Sequence, residues 1–200
     1  MNHLSLWELP VATLLAGPLS VRYIKSADRL AHCIGLRSLT NGLESFLPIL
    51  ESIEGDASEA WPVSPPMQQI VQESIGQNSA PVLLGVGLSG NGHWSSAVEA
   101  ATSSSLKLDV ACKNSKPASY LGSRYRALGG MEIDFGTTEI KVFASQESAE
   151  NVVVVLSVQI GRVVIDERNR YLSIAPGSDP ESLQTHRWCY EVAVRPSQVQ

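Results

Sequence analysis

Hydrophobic and polar residues alternate along most of the chain after residue 80, and this period of two is the strongest constraint on the fold. The alternation is clearest in residues 106–112, 140–144 and 188–194. A period of two places the apolar side chains on one face of a β-strand. Since no long helical pattern separates these segments, residues 81–196 predict an antiparallel β-sandwich or barrel-like domain.

Nine strands are expected in this part of the chain. They are residues 82–86, 93–100, 106–112, 131–135, 139–145, 152–160, 162–166, 171–175 and 188–195. Gly161 and the polar stretch 167–169 have the composition of tight connections between neighbouring strands. Strands linked by such short turns pair in antiparallel fashion.

Apolar residues before residue 80 are spaced by three and four instead. The set after Ser20 is Val21, Ile24, Ala27, Leu30, Ala31 and Ile34. This spacing predicts a helix, with Ser20 as its N-cap and Gly35 at its C-terminal end. We therefore expect a small helical subdomain at 1–54, then a linker with a short helix at 55–80. The predicted fold class is α+β, with the β-sandwich following the helical subdomain.

The segment from Pro18 to Glu44 also resembles a known family. It contains Leu19-Ser-Val-Arg22, then a glycine at Gly35, then Thr40-Asn-Gly-Leu43. This pattern resembles the first half of the helix-hairpin-helix domain at the C-terminus of bacterial RNA polymerase alpha subunits. The resemblance covers 27 of 200 residues and implies a small helical fold for them.

Composition and charge exclude several classes of protein. Hydrophobic residues make up 44% of the chain and charged residues 18%, which is enough apolar material for a core. No apolar run approaches the roughly 18 residues of a membrane span. The net charge of −5 argues against nucleic-acid binding by overall charge. Three cysteines without short spacing predict reduced, buried thiols and a cytoplasmic location.

The most basic stretch, residues 113–126, is a candidate surface for binding a partner. It contains four cations, two tyrosines and no acidic residue. The candidate binding residues are Lys113, Lys116, Tyr120, Arg124, Tyr125 and Arg126. Arginine and tyrosine dominate binding hot spots, and both suit contacts with anionic or ring-shaped groups. A solvated loop between strands is the alternative interpretation.

A second motif, Gly85-x-Gly87-x-x-Gly90, has the spacing of a dinucleotide-binding loop. In that interpretation Asp109 would hold a ribose. The motif equally suits a glycine-rich hairpin, because Asn91-Gly92 supplies a tight turn before residues 93–100. The absence of a helical pattern after the motif favours the hairpin.

These features together predict a non-catalytic interaction module built on a β-sandwich, with a protein or glycan partner. No residues are assigned to catalysis or to a metal, and no cofactor or membrane association is expected. His186 and Cys189 would point to opposite faces of one strand, which argues against a shared zinc site. Two alternatives stay open. One is a transcription-associated protein that binds nucleic acid through the N-terminal helices and residues 113–126. The other is a nucleotide-dependent enzyme that uses Gly85, Gly87, Gly90 and Asp109.

Overall fold

Two antiparallel sheets make up the computed structural model of the chain. It describes residues 9–40, 43–56, 58–75, 80–128, 130–134, 139–143, 152–166 and 168–196. These residues form fifteen strands and no helix. The strands are β1 (Ala12–Ala16), β2 (Leu19–Ser26), β3 (Arg29–Thr40), β4 (Leu43–Ser52), β5 (Gln69–Ile75), β6 (Ala80–Ser89), β7 (Gly92–Thr102), β8 (Ser105–Asn114), β9 (Ser123–Ala127), β10 (Gly130–Asp134), β11 (Glu139–Phe143), β12 (Val152–Ile160), β13 (Arg162–Asp166), β14 (Tyr171–Ala175) and β15 (Thr185–Pro196).

The first sheet has the strand order β1-β2-β3-β4-β9-β14-β13, and the second has the order β10-β11-β12-β15-β8-β7-β6-β5. Their inner faces contribute to one hydrophobic cluster that contains residues of both sheets, including Ile34 and Leu172 of the first and Leu83 and Trp188 of the second. In strands such as β8, alternate residues face this core, as the pleat of a half-buried strand requires. The antiparallel β-sandwich expected from the sequence is confirmed.

All nine strands expected after residue 80 overlap strands of the structure. Residue 135 and residues 144–145, expected at strand ends, lie outside the described residues. After residue 80 the sequence fails to predict only one of the described strands, β9, which lies inside the basic stretch 113–126. It pairs with β4 on one side and with β14 on the other.

The expected helical subdomain at 1–54 is wrong, and with it the α+β fold class. Strands β1–β4 lie between Ala12 and Ser52, while residues 1–8 and 41–42 lie outside the described residues. The misleading spacing arises because β2 and β3 form a hairpin about residues 27–28. The hairpin pairs Val21 with Ile34 toward the core, and Ile24 with Ala31 on the outer face. Along the chain, Val21 and Ile24 are three positions apart, and so are Ala31 and Ile34. The same step of three is expected for apolar residues on one face of a helix.

The turn of this hairpin carries no sequence signature that could have corrected the prediction. Two-residue hairpin turns favour glycine or asparagine because their central residues have positive φ. Here the position is taken by Ala27, with φ of 53°. Arg29 reinforces the turn, since its Nε donates to Asp28 Oδ1 over 2.9 Å and its Nη1 donates to the carbonyl of Glu54 over 3.1 Å.

The resemblance to the RNA polymerase alpha domain fails for the same reason, since the described residues of this segment belong mainly to β2, β3 and the start of β4. Gly35, expected to end a helix, lies within β3 opposite Pro48, where the register with β4 shifts. A Cβ atom on Gly35 would lie 2.3 Å from the carbonyl oxygen of Leu47. Glycine is therefore required here for close approach of two strands.

The short helix expected within the linker at 55–80 is also wrong. This segment contains β5, which pairs along its length with β6 at the edge of the second sheet. Just before it, Met67 is buried, and its carbonyl accepts a 2.7 Å hydrogen bond from the backbone N–H of Leu30. The segment therefore ties the two sheets together.

The three cysteines, Cys33, Cys112 and Cys189, are free and buried. Burial raises the pKa of each of these thiols, which disfavours the reactive thiolate. Among the described residues there is no helix with the length and apolar character to cross a membrane.

Candidate functional site

A surface cleft lies at the end of the first sheet, where β9, β14 and β13 meet two loops. Its volume is about 150 Å³. We refer to it as the arginine–tyrosine cleft. Its lining residues are Ser119, Tyr120, Leu121, Arg124, Arg162, Val164, Ser173, Ala175, Pro176, Ser178 and Pro180.

Arg124 lines this cleft, and two neighbouring side chains hold its guanidinium group. Its guanidinium carbon lies 5.2 Å from the centroid of the Tyr120 ring, a cation–π contact. Its Nε donates a 3.1 Å hydrogen bond to Ser173 Oγ on the neighbouring strand β14. Neither terminal nitrogen of Arg124 has a hydrogen-bond partner among the described residues. The guanidinium is therefore oriented while two of its nitrogens stay available to a ligand.

Arg162 supplies a second cation to the same cleft. It opens β13, directly after Gly161, and pairs with Ala175 of β14. Its side chain is exposed. The cleft lining contains no carboxylate, and no described Asp or Glu forms an ion pair with Arg124 or Arg162. Other arginines of the chain, such as Arg187 with Asp109, do have carboxylate partners. The cleft is thus a local concentration of uncompensated positive charge.

Tyr120 contributes the face of its ring and not its hydroxyl. The hydroxyl oxygen is buried, with no hydrogen-bond partner in the described part of the chain. It lies beside Gly122, where a Cβ atom would be 2.6 Å from that oxygen. Since the hydroxyl points into the protein, the ring contributes to the cleft by holding the guanidinium of Arg124.

Two loops form the walls of the cleft, residues 115–122 and residues 176–184. Asn114, which is buried at the end of β8 where the first loop begins, binds the second loop. Its Nδ2 donates to the carbonyls of Pro180 and Ser182 over 3.1 and 3.0 Å, and its Oδ1 accepts from the backbone N–H of Gln184 over 3.2 Å. This side chain therefore saturates its main hydrogen-bonding groups on one loop, and the cleft has fixed walls.

The structure brings together only two of the six binding residues predicted from the sequence, Tyr120 and Arg124. Lys113 lies on the outer face of the second sheet, opposite His93 and Thr185. Lys116 is exposed in the loop that follows. Tyr125 is fully buried between the sheets, and Arg126 lies near Glu51, with 3.7 Å between Nη1 and Oε2. Alternation along the strands distributes one basic segment over two outer faces and the core.

The glycine motif lies elsewhere, at the hairpin between β6 and β7. Gly85 and Gly87 are buried, and a Cβ atom on Gly87 would lie 2.0 Å from the carbonyl oxygen of Pro66. Gly90 has a φ of 54° in the turn, against Ala60. Asp109 lies on β8 and forms a bidentate ion pair with Arg187. The space beside these glycines is thus occupied by residues 60–67 of the chain.

A buried polar cluster lies between the sheets, behind β9. His32 Nε2 is 2.6 Å from the hydroxyl of Tyr125, which is in turn hydrogen-bonded to the hydroxyl of Tyr190. Burial lowers the pKa of His32 to about 4 and raises the pKa of Tyr125 well above its usual value. The adjoining cavity, lined by Tyr23 and His32 among others, is only about 10 Å³. That is close to the roughly 10–15 Å³ that one water molecule needs.

Glu54 lies near this cluster and should make stability depend on pH. Burial raises its pKa to about 7, above the value of about 4.3 for an exposed glutamate. The folded state therefore holds the proton longer, and stability falls as pH rises through this window. We expect wild type to lose roughly 2–3 kcal/mol relative to Glu54→Gln between pH 4.5 and 8. Chemical denaturation at a series of pH values measures this difference.

The exposed Glu59→Gln substitution is the matched control, because it removes one carboxylate without touching the interior. Its stability should run parallel to wild type across the same pH range. Parallel curves for wild type and Glu54→Gln would contradict the assignment of a raised pKa to Glu54.

Several residues of the cleft were not identified from the sequence. Arg162 and Ser178 come from distant segments, and the antiparallel pairing of β13 with β14 and of β14 with β9 brings them beside Arg124. His186, considered only as a zinc ligand, lies behind the cleft, with its Nδ1 2.7 Å from Ser178 Oγ. Within the described residues no three His, Cys, Asp or Glu side chains are grouped to hold a metal.

Comparisons with known proteins find likeness in structure but not in sequence. No family model matches the chain, and no curated protein matches it. A heparinase III has a TM-score of 0.52 and 8% identity, over 93% of this chain and 36% of that one. A heparan sulfate lyase from Pedobacter heparinus has a TM-score of 0.48 and 8% identity, over 96% of this chain and 37% of that one.

The likeness to the heparinase III extends over almost all of this chain and shows a shared β-sandwich fold. At 8% identity it shows the fold alone. The matched region of this chain covers 36% of the length of that protein, about a third of it. Fold does not determine function, which depends on the chemistry of the cleft.

Proposed function

We propose that this chain is a non-catalytic β-sandwich module that binds an acidic glycan in the arginine–tyrosine cleft. The observation that carries the proposal is the pair Arg124 and Arg162, two guanidinium groups without carboxylate partners among the described residues, in one cleft with the ring of Tyr120. Guanidinium groups bind carboxylate and sulfate oxygens through paired N–H donors. The Tyr120 ring beside them packs against Arg124 and orients its guanidinium for such a contact.

The size of the cleft supports a glycan over a buried small molecule. Its volume of about 150 Å³ is below the roughly 300–1,000 Å³ of drug-sized pockets. A ligand would thus place one sugar unit or one chain end in the cleft and leave the remainder in solvent. The name of the structural neighbour, a heparinase, supports the same ligand class, because heparin is an acidic polysaccharide.

The cleft chemistry favours binding over catalysis. The lining contains two guanidinium groups but no carboxylate, imidazole or thiol that could act as a general acid or base. The hydroxyl of Tyr120 is turned away from the ligand side. A module of this kind depends on affinity alone.

Removal of the two arginines tests the proposal. We expect Arg124→Ala or Arg162→Ala to weaken binding of a heparin tetrasaccharide at least about tenfold each, since hydrogen bonds to charged groups contribute about 1.5–3 kcal/mol. Isothermal titration calorimetry at two salt concentrations would measure this effect. Binding should also weaken with salt, and a neutral maltotetraose should not bind.

Arg126→Ala is the matched control, because it removes an arginine from the same outer face but outside the cleft, where Glu51 is its partner. It should leave affinity within about twofold of wild type, as expected for a rim charge in ordinary salt. Equal losses in all three variants would mean that only overall charge matters. Undiminished binding in the Arg124 and Arg162 variants would refute the proposal.

A further inference from the structure

The strongest unexplained feature beside the cleft is the contact between Ser178 and His186. Ser178 lines the cleft, while His186 of β15 lies behind it and is only 1% exposed. His186 Nδ1 is 2.7 Å from Ser178 Oγ, and its Nε2 is 3.0 Å from the carbonyl oxygen of Ser182. Both ring nitrogens are thus engaged with the loop that forms one wall.

For a neutral imidazole, these two contacts determine which group donates. A carbonyl oxygen can only accept a hydrogen bond, so Nε2 must carry the hydrogen. The neutral imidazole has one N–H, which leaves Nδ1 as an acceptor. The hydroxyl of Ser178 therefore donates to Nδ1, and its hydrogen is directed away from the cleft.

We infer that Ser178 Oγ is a fixed hydrogen-bond acceptor in the cleft and that His186 is the residue that positions it. The other directed groups, the guanidinium nitrogens of Arg124 and Arg162, are all donors. The cleft is therefore complementary to an acidic group that has a hydroxyl nearby, as in a uronic acid. A bare anion offers no donor for Ser178. This inference rests on the proposed function and specifies its ligand chemistry.

A hydrogen-bonded serine and histidine also resemble part of a nucleophilic pair, but the geometry does not favour that role. A catalytic histidine must pass the serine proton to the leaving group. His186 is almost fully buried and is not among the lining residues of the cleft. It can orient Ser178 but has no access to a leaving group.

The test compares two probes of similar ring size that share a carboxylate, D-glucuronate and cyclohexanecarboxylate, which lacks hydroxyl groups. Binding is followed by NMR titration of wild type and variants at constant ionic strength. Wild type should prefer glucuronate. Ser178→Ala should reduce that preference about two- to tenfold, the loss of one hydrogen bond of about 0.5–1.5 kcal/mol. Ser115→Ala removes an exposed hydroxyl outside the cleft lining, one that donates to the carbonyl of Asn91, and it should leave the preference unchanged.

The role of His186 is tested by a double-mutant cycle. His186→Phe should reduce the preference when Ser178 is present and have no further effect on it in the Ser178→Ala background. Ser178→Thr, which retains the hydroxyl, should keep the wild-type preference for glucuronate over cyclohexanecarboxylate. If Ser178→Ala keeps the full preference while both probes still bind, the acceptor role is wrong and the proposed function stands. If wild type binds neither probe nor the heparin tetrasaccharide, both the inference and the proposed function are refuted.

Discussion

Gly87→Ala should lower the free energy of unfolding by at least about 2 kcal/mol, which for a chain of this size is roughly 4–8 °C in Tm. The new Cβ would lie 2.0 Å from the carbonyl oxygen of Pro66 and 3.1 Å from Met67 Cα. The obstacle is backbone and cannot rotate away. It is also anchored beside Gly87, because Gln68 is hydrogen-bonded to the backbone of Val86 and of Leu88. Thermal and chemical denaturation measure the loss.

Two further glycines provide matched controls for this substitution. At Gly177 an added Cβ meets nothing within 4 Å, so Gly177→Ala should change stability by less than about 0.5 kcal/mol. At Gly85 the nearest atom is the hydroxyl of Ser96, 2.5 Å away, which can rotate. Gly85→Ala should fall between the other two. Equal stability of the Gly87 and Gly177 variants would contradict the packing of residues 60–67 against β6.

Trp188→Ala should cost about 3–5 kcal/mol, as other truncations of buried aromatic residues do. Trp188 is fully buried on β15 and contacts both sheets. Its ring packs edge-to-face on Trp94, with 6.0 Å between centroids, and its Nε1 donates a 2.9 Å hydrogen bond to Ser123 Oγ on β9. Truncation removes packing from the second sheet and leaves Ser123, next to Arg124, without its donor. Chemical denaturation and tryptophan fluorescence measure the effect.

The control for size is Trp188→Phe, which retains an aromatic ring and loses mainly the indole N–H. It should cost less than half as much as the alanine substitution. Trp61→Ala, at a partly buried position on the edge of the same core, is the control for the residue type. If Trp61→Ala and Trp188→Ala were equally destabilising, the core between the sheets would not lie where the structure places it.

The second half of the fold could be predicted from the sequence because period-two alternation needs no knowledge of pairing partners. In β8, for example, buried residues alternate with more exposed ones. The first half could not, because its apolar pairs are symmetric about a turn that lacks glycine. The inward positions of β2 and β3 also include Tyr23 and His32, which stack with 5.1 Å between ring centroids. Tyrosine and histidine are not recognised as core residues from the sequence, because that requires knowing the groups with which they pack.

The candidate site was predictable only in part, for a related reason. The basic composition of 113–126 pointed to Tyr120 and Arg124. Strand alternation within β9 then separates Arg124 from buried Tyr125, and that depends on recognising residues 123–127 as a strand. Arg162 and Ser178 join the cleft through long-range pairing of β13 and β14. No local pattern in a single sequence contains that information.

The most direct test of the central claim, that the arginine–tyrosine cleft binds an acidic glycan, is to map the binding surface on the wild-type protein. Backbone amide chemical shifts would be followed by NMR while a heparin tetrasaccharide is added. We predict that the perturbed amides cluster in residues 119–124, 162–164 and 173–178. Perturbation confined to the outer face of the second sheet, around Val86 and His93, would contradict the claim, as would the absence of any perturbation.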